Sequence, residues 1–502
     1  MFWRSTGRKR AWLGAAAVAA AALAFLIGCE WLLYGVPVTG IYLPASSWSD
    51  EVVYSKQLAA VVQYGAPQGY FGFNESHAEL GTFAAWGPAV FWVYALPGLL
   101  FRGQNAFIWC NLFFAVAGWL AFARAARLRV WQQAVFAAAL ACLNAPIRYI
   151  FSALQEPLHY ALVLAVTGTA VLVRRSGRRP AWAALGLLCA VATLVRPYNA
   201  VLWLYPLALA WPRRRAVLGC LAGAGASLAG TLFLMAKCYA PYFFTNVDTA
   251  PLQMLAHLQV LSAVKYTAQK LLAAFTQVGQ EVAGSLAGQG GGYYLAFFLL
   301  LAVTLACLAW DAWKKRPLFW KGCAAAAAVV IFLALMLMYR TTEAARHTLV
   351  LDLLLLAALV LESPRAAAGT AGAAAVLAAA GVLALTANGG FGMPGYHAAI
   401  DGELTALHSA LADSQQMVES SDPWDHTLAY SFGDSAHVGM LYAAPDGMGL
   451  QFDEVDYLLD PEHEIHARYM MTGAGSELEQ RLLAEGWTLL FQGRYATVYE
   501  RS

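Results

Sequence analysis

Apolar runs of roughly 20 residues, the length that crosses the hydrocarbon core of a bilayer, recur along this 502-residue chain and stop near residue 390. A chain built this way folds as a bundle of membrane helices, because in lipid every backbone polar group has to find its partner within the protein. Candidate spans lie at about 11–35, 84–102, 105–123, 130–150, 153–173, 181–195, 198–211, 216–236, 292–310, 322–339, 347–362 and 367–388. Composition agrees: 60% of residues are hydrophobic, 12% are charged and the mean hydropathy is +0.54, against about 25% charged in soluble domains.

The net charge of +2 conceals two unlike regions. Residues 395–502 hold 18 acidic and 4 basic side chains, which leaves 12 acidic and 28 basic before them. The acidic tail alternates strand-like pieces (426–431, 487–491) with helix-like ones (399–419, 475–486). The expected fold is therefore an all-α polytopic membrane domain, residues 1–390, with about 11–13 transmembrane helices, followed by a small extracytoplasmic α/β domain, residues 391–502.

Basic loops bias orientation towards the cytoplasm. Arg4, Arg8, Lys9 and Arg10, then Arg174/Arg175/Arg178/Arg179, Arg213/Arg214/Arg215 and Lys314/Lys315/Arg316/Lys321, mark the inner side. Loops 36–83, 237–291 and 340–346 and the tail then lie outside, in a multi-pass protein of the plasma (inner) membrane with a cytoplasmic N-terminus. Twelve crossings that start inside would also end inside, so either one run does not cross or one crossing is missed, with the discrepancy expected between 84 and 173; the weakest run is 84–102, which carries Pro88 and Pro97. An amphipathic stretch at 251–278 suits a helix lying on the outer leaflet.

Several function classes drop out. No C-x-x-C pair occurs and no cysteine lies in the tail, so neither a disulfide framework nor a thiolate metal site is indicated. No P-loop is present, which argues against an ATP-driven pump, and the acidic tail disfavours nucleic acid.

Chemistry is concentrated in the first outer loop. Four of the 12 acids before residue 395, namely Asp50, Glu51, Glu75 and Glu79, fall within 30 residues. Trp48-Ser49-Asp50-Glu51 reads as a helix start at the water boundary, placing Asp50 and Tyr54 on one face at i, i+4. There Asp50, with Glu51 beside it, is a candidate base for an acceptor hydroxyl or a ligand for a divalent cation, or else a solvated helix cap. The Gly69–Glu79 segment sets aromatic rings beside Glu75, His77 and Glu79, a surface that suits a sugar or an interfacial aromatic belt. Arg148, Arg196, Arg340 and Arg346 stand at outer span ends, against the charge bias, where guanidinium forks suit a phosphate. Arg346 also has Glu343 within reach. Glu156, an acid at membrane depth, should face a cavity and pair with a cation such as Arg148. Lys237 is either a phosphate contact or a lysine snorkelling to the interface.

Asp-Glu-x-x-Tyr at 50–54, the aromatic loop that follows and the proline-containing return at 74–88 resemble the GT-C superfamily of membrane glycosyltransferases, which includes lipid A aminoarabinose transferases and protein O-mannosyltransferases. The return segment departs from the family in reading Glu79-Leu80-Gly81 instead of a Lys-Pro-Pro or His-Pro-Pro motif. The resemblance implies an outward-facing site, a polyprenyl-phosphate-linked sugar as donor, and a lipid, glycan or protein acceptor outside the cytoplasm. It also implies Asp50 as the base and transfer with inversion. No cofactor is fixed by the residues; a divalent cation, Mg or Mn, is the one the carboxylates would take. The competing expectation is a transporter or flippase without transferase activity, for which a repeat of broken helices would be expected.

Overall fold

The computed structural model describes residues 2–41, 43, 49–69, 71–73, 81–83, 87–103, 105–142, 149–238, 248, 250–287, 293–338, 344–387, 400–431 and 435–501. Each apolar run of the sequence is helical: α1 (Phe2–Tyr34), α3 (Ala89–Gly98), α4 (Ala106–Ala126), α5 (Val130–Cys142), α6 (Glu156–Ser176), α7 (Arg179–Val195), a 3-10 turn (Pro197–Trp203) running into α8 (Leu204–Ala210), α9 (Arg214–Cys238), α12 (Tyr293–Trp313), α13 (Phe319–Met338), α14 (Ala344–Glu362) and α15 (Pro364–Ala387). Outside this set, α2 (Ser49–Tyr64) follows the first helix, and α10 (Ala250–Ala256) with α11 (Val260–Leu286) occupies the later loop. Among the described residues, six helices are long and apolar enough to cross a membrane by length and composition, those of α1, α4, α6, α9, α12 and α13. The chain is a multi-pass membrane protein.

Among the described residues of the run at 84–102, the helix is α3. Its ten residues rise about 15 Å, half the roughly 30 Å of hydrocarbon, so it does not cross unaided. Elsewhere the bundle is held by close helix approach. Gly118 of α4 lies against Ala161 of α6, where an added Cβ would come within 2.4 Å of the Ala161 Cα, so only glycine permits the crossing. Helix α14 runs through the middle, with every residue from Leu351 to Val360 buried, as expected of a helix without a polar face.

The amphipathic stretch expected at 251–278 divides into α10 and α11 at Leu258, whose φ is +59°. Exposed Leu252, Leu261, Val264 and Leu272 give these helices the apolar face that an interfacial position requires. Asp248 ties the pair together, accepting from Lys270 Nζ at 2.7 Å, Tyr266 Oη at 2.8 Å and the Ala250 N–H at 3.0 Å. Burial opposes the charge, yet these bonds hold the Asp248 carboxyl below the usual range.

The tail is an α/β layer. Helices α16 (Asp401–Gln416), α17 (Ser435–Met440), α18 (Val455–Leu458) and α19 (Glu477–Ala484) accompany a six-stranded sheet in the order β1-β3-β2-β4-β6-β5. Five strands belong to the tail: β2 (Thr427–Tyr430), β3 (Gly449–Phe452), β4 (Tyr469–Thr472), β5 (Thr488–Gln492) and β6 (Thr497–Glu500). Strand residues alternate between two cores. Leu428 and Tyr430 join Leu407 and Leu411 of α16 on one face, while Ala429 joins Leu478 and Leu482 of α19 on the other. The edge strand β1 (Phe71–Phe73) comes from the loop between α2 and α3 and pairs in parallel with β3, Phe71 opposite Leu450 and Phe73 opposite Phe452. The sheet of residues 391–502 is thus completed by the loop that carries the acid cluster.

Candidate active site

Helix α2 begins at Ser49, and its first turn contains Asp50 and Glu51, acids that suit the positive end of a helix dipole. Successive helical residues point about 100° apart, and the two carboxylates meet different fates. Asp50 keeps 41% of its side chain exposed. Glu51 is fully buried and accepts the Ala153 N–H at 2.8 Å. Tyr54, one turn beyond Asp50, is buried against Phe91 at a ring separation of 6.0 Å. Burial, reinforced by the Asp50 charge, pushes its phenol well above the usual tyrosine range.

Glu51 helps fasten the segment that presents Glu156. Asn111 of α4 donates to the carbonyls of Ser152 at 2.8 Å and Leu154 at 3.0 Å while accepting from Tyr94 Oη at 2.6 Å. Pro157, in the first turn of α6, suits a helix start. Glu156, 3% exposed at its side chain, is thereby fixed at the inner wall. Its Oε1 accepts from Arg346 Nε at 2.8 Å and Arg196 Nη2 at 3.3 Å. Arg196 can turn inward because Pro197 disfavours continued helix in the residue before it, and its φ of −147° is extended. Arg346, in the first turn of α14, reaches further and donates through Nη1 to Asp50 Oδ2 at 3.2 Å.

Four of the sequence-derived residues, Asp50, Glu156, Arg196 and Arg346, therefore form one ionic chain built from α2, α6, the end of α7 and α14. Tyr54 stands beside it. Lys237, exposed at the end of α9, does not join. Glu75, His77, Glu79, Arg148, Arg340 and Glu343 lie outside the described residues, so the expected Glu156–Arg148 and Arg346–Glu343 pairings lie there too. Among the described residues no group of three His, Cys, Asp or Glu side chains is placed to hold a metal ion; the groups set against Asp50 and Glu156 are guanidiniums.

Two features had no clear sequence signal. The tail docks on α2: Val52 is buried in the tail's core, Lys56 donates to the Ala444 carbonyl and lies 3.5 Å from Asp446, and Tyr442 Oη donates to the Glu51 carbonyl at 3.4 Å. Burial there pulls the Lys56 ammonium below the usual lysine range, with Asp446 opposing. The second feature is an apolar crevice among α1, α4, α6 and α14, lined by Leu23, Leu26, Trp119, Tyr160, Leu349 and Leu353. Tyr160 lies one turn from Glu156, and Leu349 about one turn from Arg346. The crevice therefore lies about one helical turn from the ionic chain.

No family model matches this chain, and no curated protein matches it. Among solved structures it is similar to ArnT from Cupriavidus metallidurans bound to undecaprenyl phosphate, with 13% identity over 96% of this chain and 97% of that one and a TM-score of 0.52. The apo state of the same protein aligns at 12% identity over 99% and 98%, with a TM-score of 0.40. The first of these alignments shows that the membrane bundle with its C-terminal sheet domain has the fold expected from the sequence.

Proposed function

We propose that this protein is an integral membrane glycosyltransferase that moves a sugar from a polyprenyl-phosphate-linked donor to an acceptor outside the cytoplasm. One observation carries the reading: a solvent-reachable carboxylate, Asp50, is bound to a buried arginine–carboxylate cluster about one helical turn from an apolar crevice. A polyprenyl phosphate has this same division into an anionic head and a long apolar tail. The shared fold with ArnT, whose structure holds undecaprenyl phosphate, supports the assignment.

Arg346 and Arg196 supply the forked donors that suit a phosphate, and Glu156 holds both in register. When the phosphate takes up Arg346, the Arg346–Asp50 contact opens and Asp50 becomes the base. It accepts the proton of an acceptor hydroxyl as that oxygen bonds to the anomeric carbon. The carbon–oxygen bond to phosphate breaks, and polyprenyl phosphate leaves as an anion steadied by the arginines. Attack opposite the leaving group inverts the anomeric centre.

We read the basic loops as cytoplasmic, a reading that assigns the N-terminus to the cytoplasm and the tail and Asp50 to the extracytoplasmic side of the plasma membrane. The test is release of free polyprenyl phosphate from a panel of polyprenyl-phosphate sugars with crude acceptor lipids in detergent. Release by wild type and its loss in folded Asp50→Asn supports the reading. Equal binding of the lipid by both proteins with no release by either favours a transporter or flippase instead.

A further inference from the structure

Three buried side chains next to the ionic chain are left without partners. Gln155, His159 and Tyr160 are 1%, 1% and 5% exposed. Both polar atoms of the Gln155 amide, both ring nitrogens of His159 and the Tyr160 hydroxyl make no hydrogen bond, and Glu156 adds an unpartnered Oε2. His159 and Tyr160 follow Glu156 at i+3 and i+4, on its face of α6, and His159 is also i+4 from Gln155. Both lie within the electrostatic reach of Glu156 and Arg346. Tyr160 also lines the apolar crevice.

Buried polar groups are almost always hydrogen-bonded, because leaving them bare costs free energy. Three within residues 155–160, beside the ionic cluster, therefore mark a place where a ligand supplies the partners. The residue types narrow the ligand. An amide, an imidazole and a phenol each both donate and accept, which matches sugar hydroxyls. A phosphate would take donors alone, and those are the arginines; a polyprenyl chain would take neither, and it has the crevice.

We propose that Gln155, His159 and Tyr160, with Glu156 Oε2, read the hydroxyl pattern of the transferred sugar. The proposal rests on the donor class assigned above. It assigns the arginines to the phosphate, the crevice to the lipid, and this row, which meets the crevice at Tyr160, to the sugar.

The test is binding to the full-length protein in detergent, using bare undecaprenyl phosphate and undecaprenyl-phosphate-linked glucose, mannose and aminoarabinose. The variants are Gln155→Met, Tyr160→Phe and His159→Leu, with His159→Gln as the conservative replacement. Wild type should bind one sugar-bearing lipid more tightly than the bare lipid. Each apolar variant should lose about tenfold of that preference, while the affinity of Gln155→Met and His159→Leu for the bare lipid stays within about twofold. His159→Gln should recover part of it. Melting temperatures should hold or rise, because no bond within the protein is removed. Equal loss for bare and sugar-bearing lipids would assign the row to the phosphate and overturn the proposal. So would unchanged preference with lowered stability, the signature of a structural water site, or a wild type that binds all four lipids alike. A wild type that binds none of them instead sinks the donor assignment itself.

Discussion

Helix α14 carries an ionic cluster at each end, and the two are built to opposite rules. At its C-terminal end Lys321, fully buried, donates to Asp311 and to Ser363 Oγ at 2.9 Å and lies 3.6 Å from Glu362. Glu362 also accepts the Trp320 and Lys321 N–H groups at 3.1 Å, capping the start of α13. That cluster is sealed and bonded. Sixteen residues away along the helix, about 24 Å at 1.5 Å per residue, Arg346 joins a cluster that leaves Asp50 exposed and borders a row of bare polar atoms. A closed network fastens helices together, whereas an open one leaves part of its hydrogen bonding to something that binds. The difference separates staple from site without recourse to residue type, since both clusters use basic groups and carboxylates.

The comparison can be broken from either end. The largest expected effect is Asp50→Asn, which should lower sugar transfer by about 10³-fold, within the range for loss of a general base, while the melting curve in detergent stays near wild type. A collapse of the fold would make Asp50 part of a staple. Lys321→Ala should do the reverse: it strands Asp311 and Glu362 as buried charges, a change that costs about 3–5 kcal/mol. Thermal unfolding should register that loss, and polyprenyl phosphate affinity of the surviving folded protein should not.

Arg346→Lys sharpens the contrast within the open cluster. A lysine keeps the charge but not the fork, so binding of polyprenyl phosphate should weaken by about tenfold, read by titration. An unchanged affinity would remove Arg346 from the phosphate site.

The smallest effect concerns Asp248, whose carboxyl the Lys270 and Tyr266 bonds hold below its ordinary value. A depressed carboxylate contributes stability that is complete above the unfolded value of about 3.9 and fades as pH falls through the folded one. Proteolysis of the α10–α11 pair should therefore be flat from neutral pH down to about pH 4 and rise only below it. In Asp248→Asn that dependence should disappear.

Much of the membrane fold was legible because hydrophobic length is a local property. Every apolar run contains helix, and the two prolines at 84–102 marked one of the short ones, α3, although the shorter α8 carried no such mark. The start of α2 was legible too, from Ser49-Asp50-Glu51, as were Arg196 and Arg346, cations at the ends of apolar runs and away from the basic clusters. Their partner was not. Glu156 meets Arg346 across 190 residues and Arg196 across 40, and no local pattern encodes such a meeting. Likewise β1 has three residues, too few for alternation to reveal a strand, and it exists as one because β3 offers an open edge.

The sequence by itself determined that this chain enters a bilayer, that its tail is acidic and mixes helices with strands, and that acids gather where the first helix ends. These follow from hydropathy and charge, which act over windows of a few residues. Tertiary structure decided which acid does what. Asp50 and Glu51 are adjacent and chemically alike, yet one faces solvent beside Arg346 and the other is sealed against the Ala153 N–H. Roles that depend on a partner's position are set only when distant helices pack.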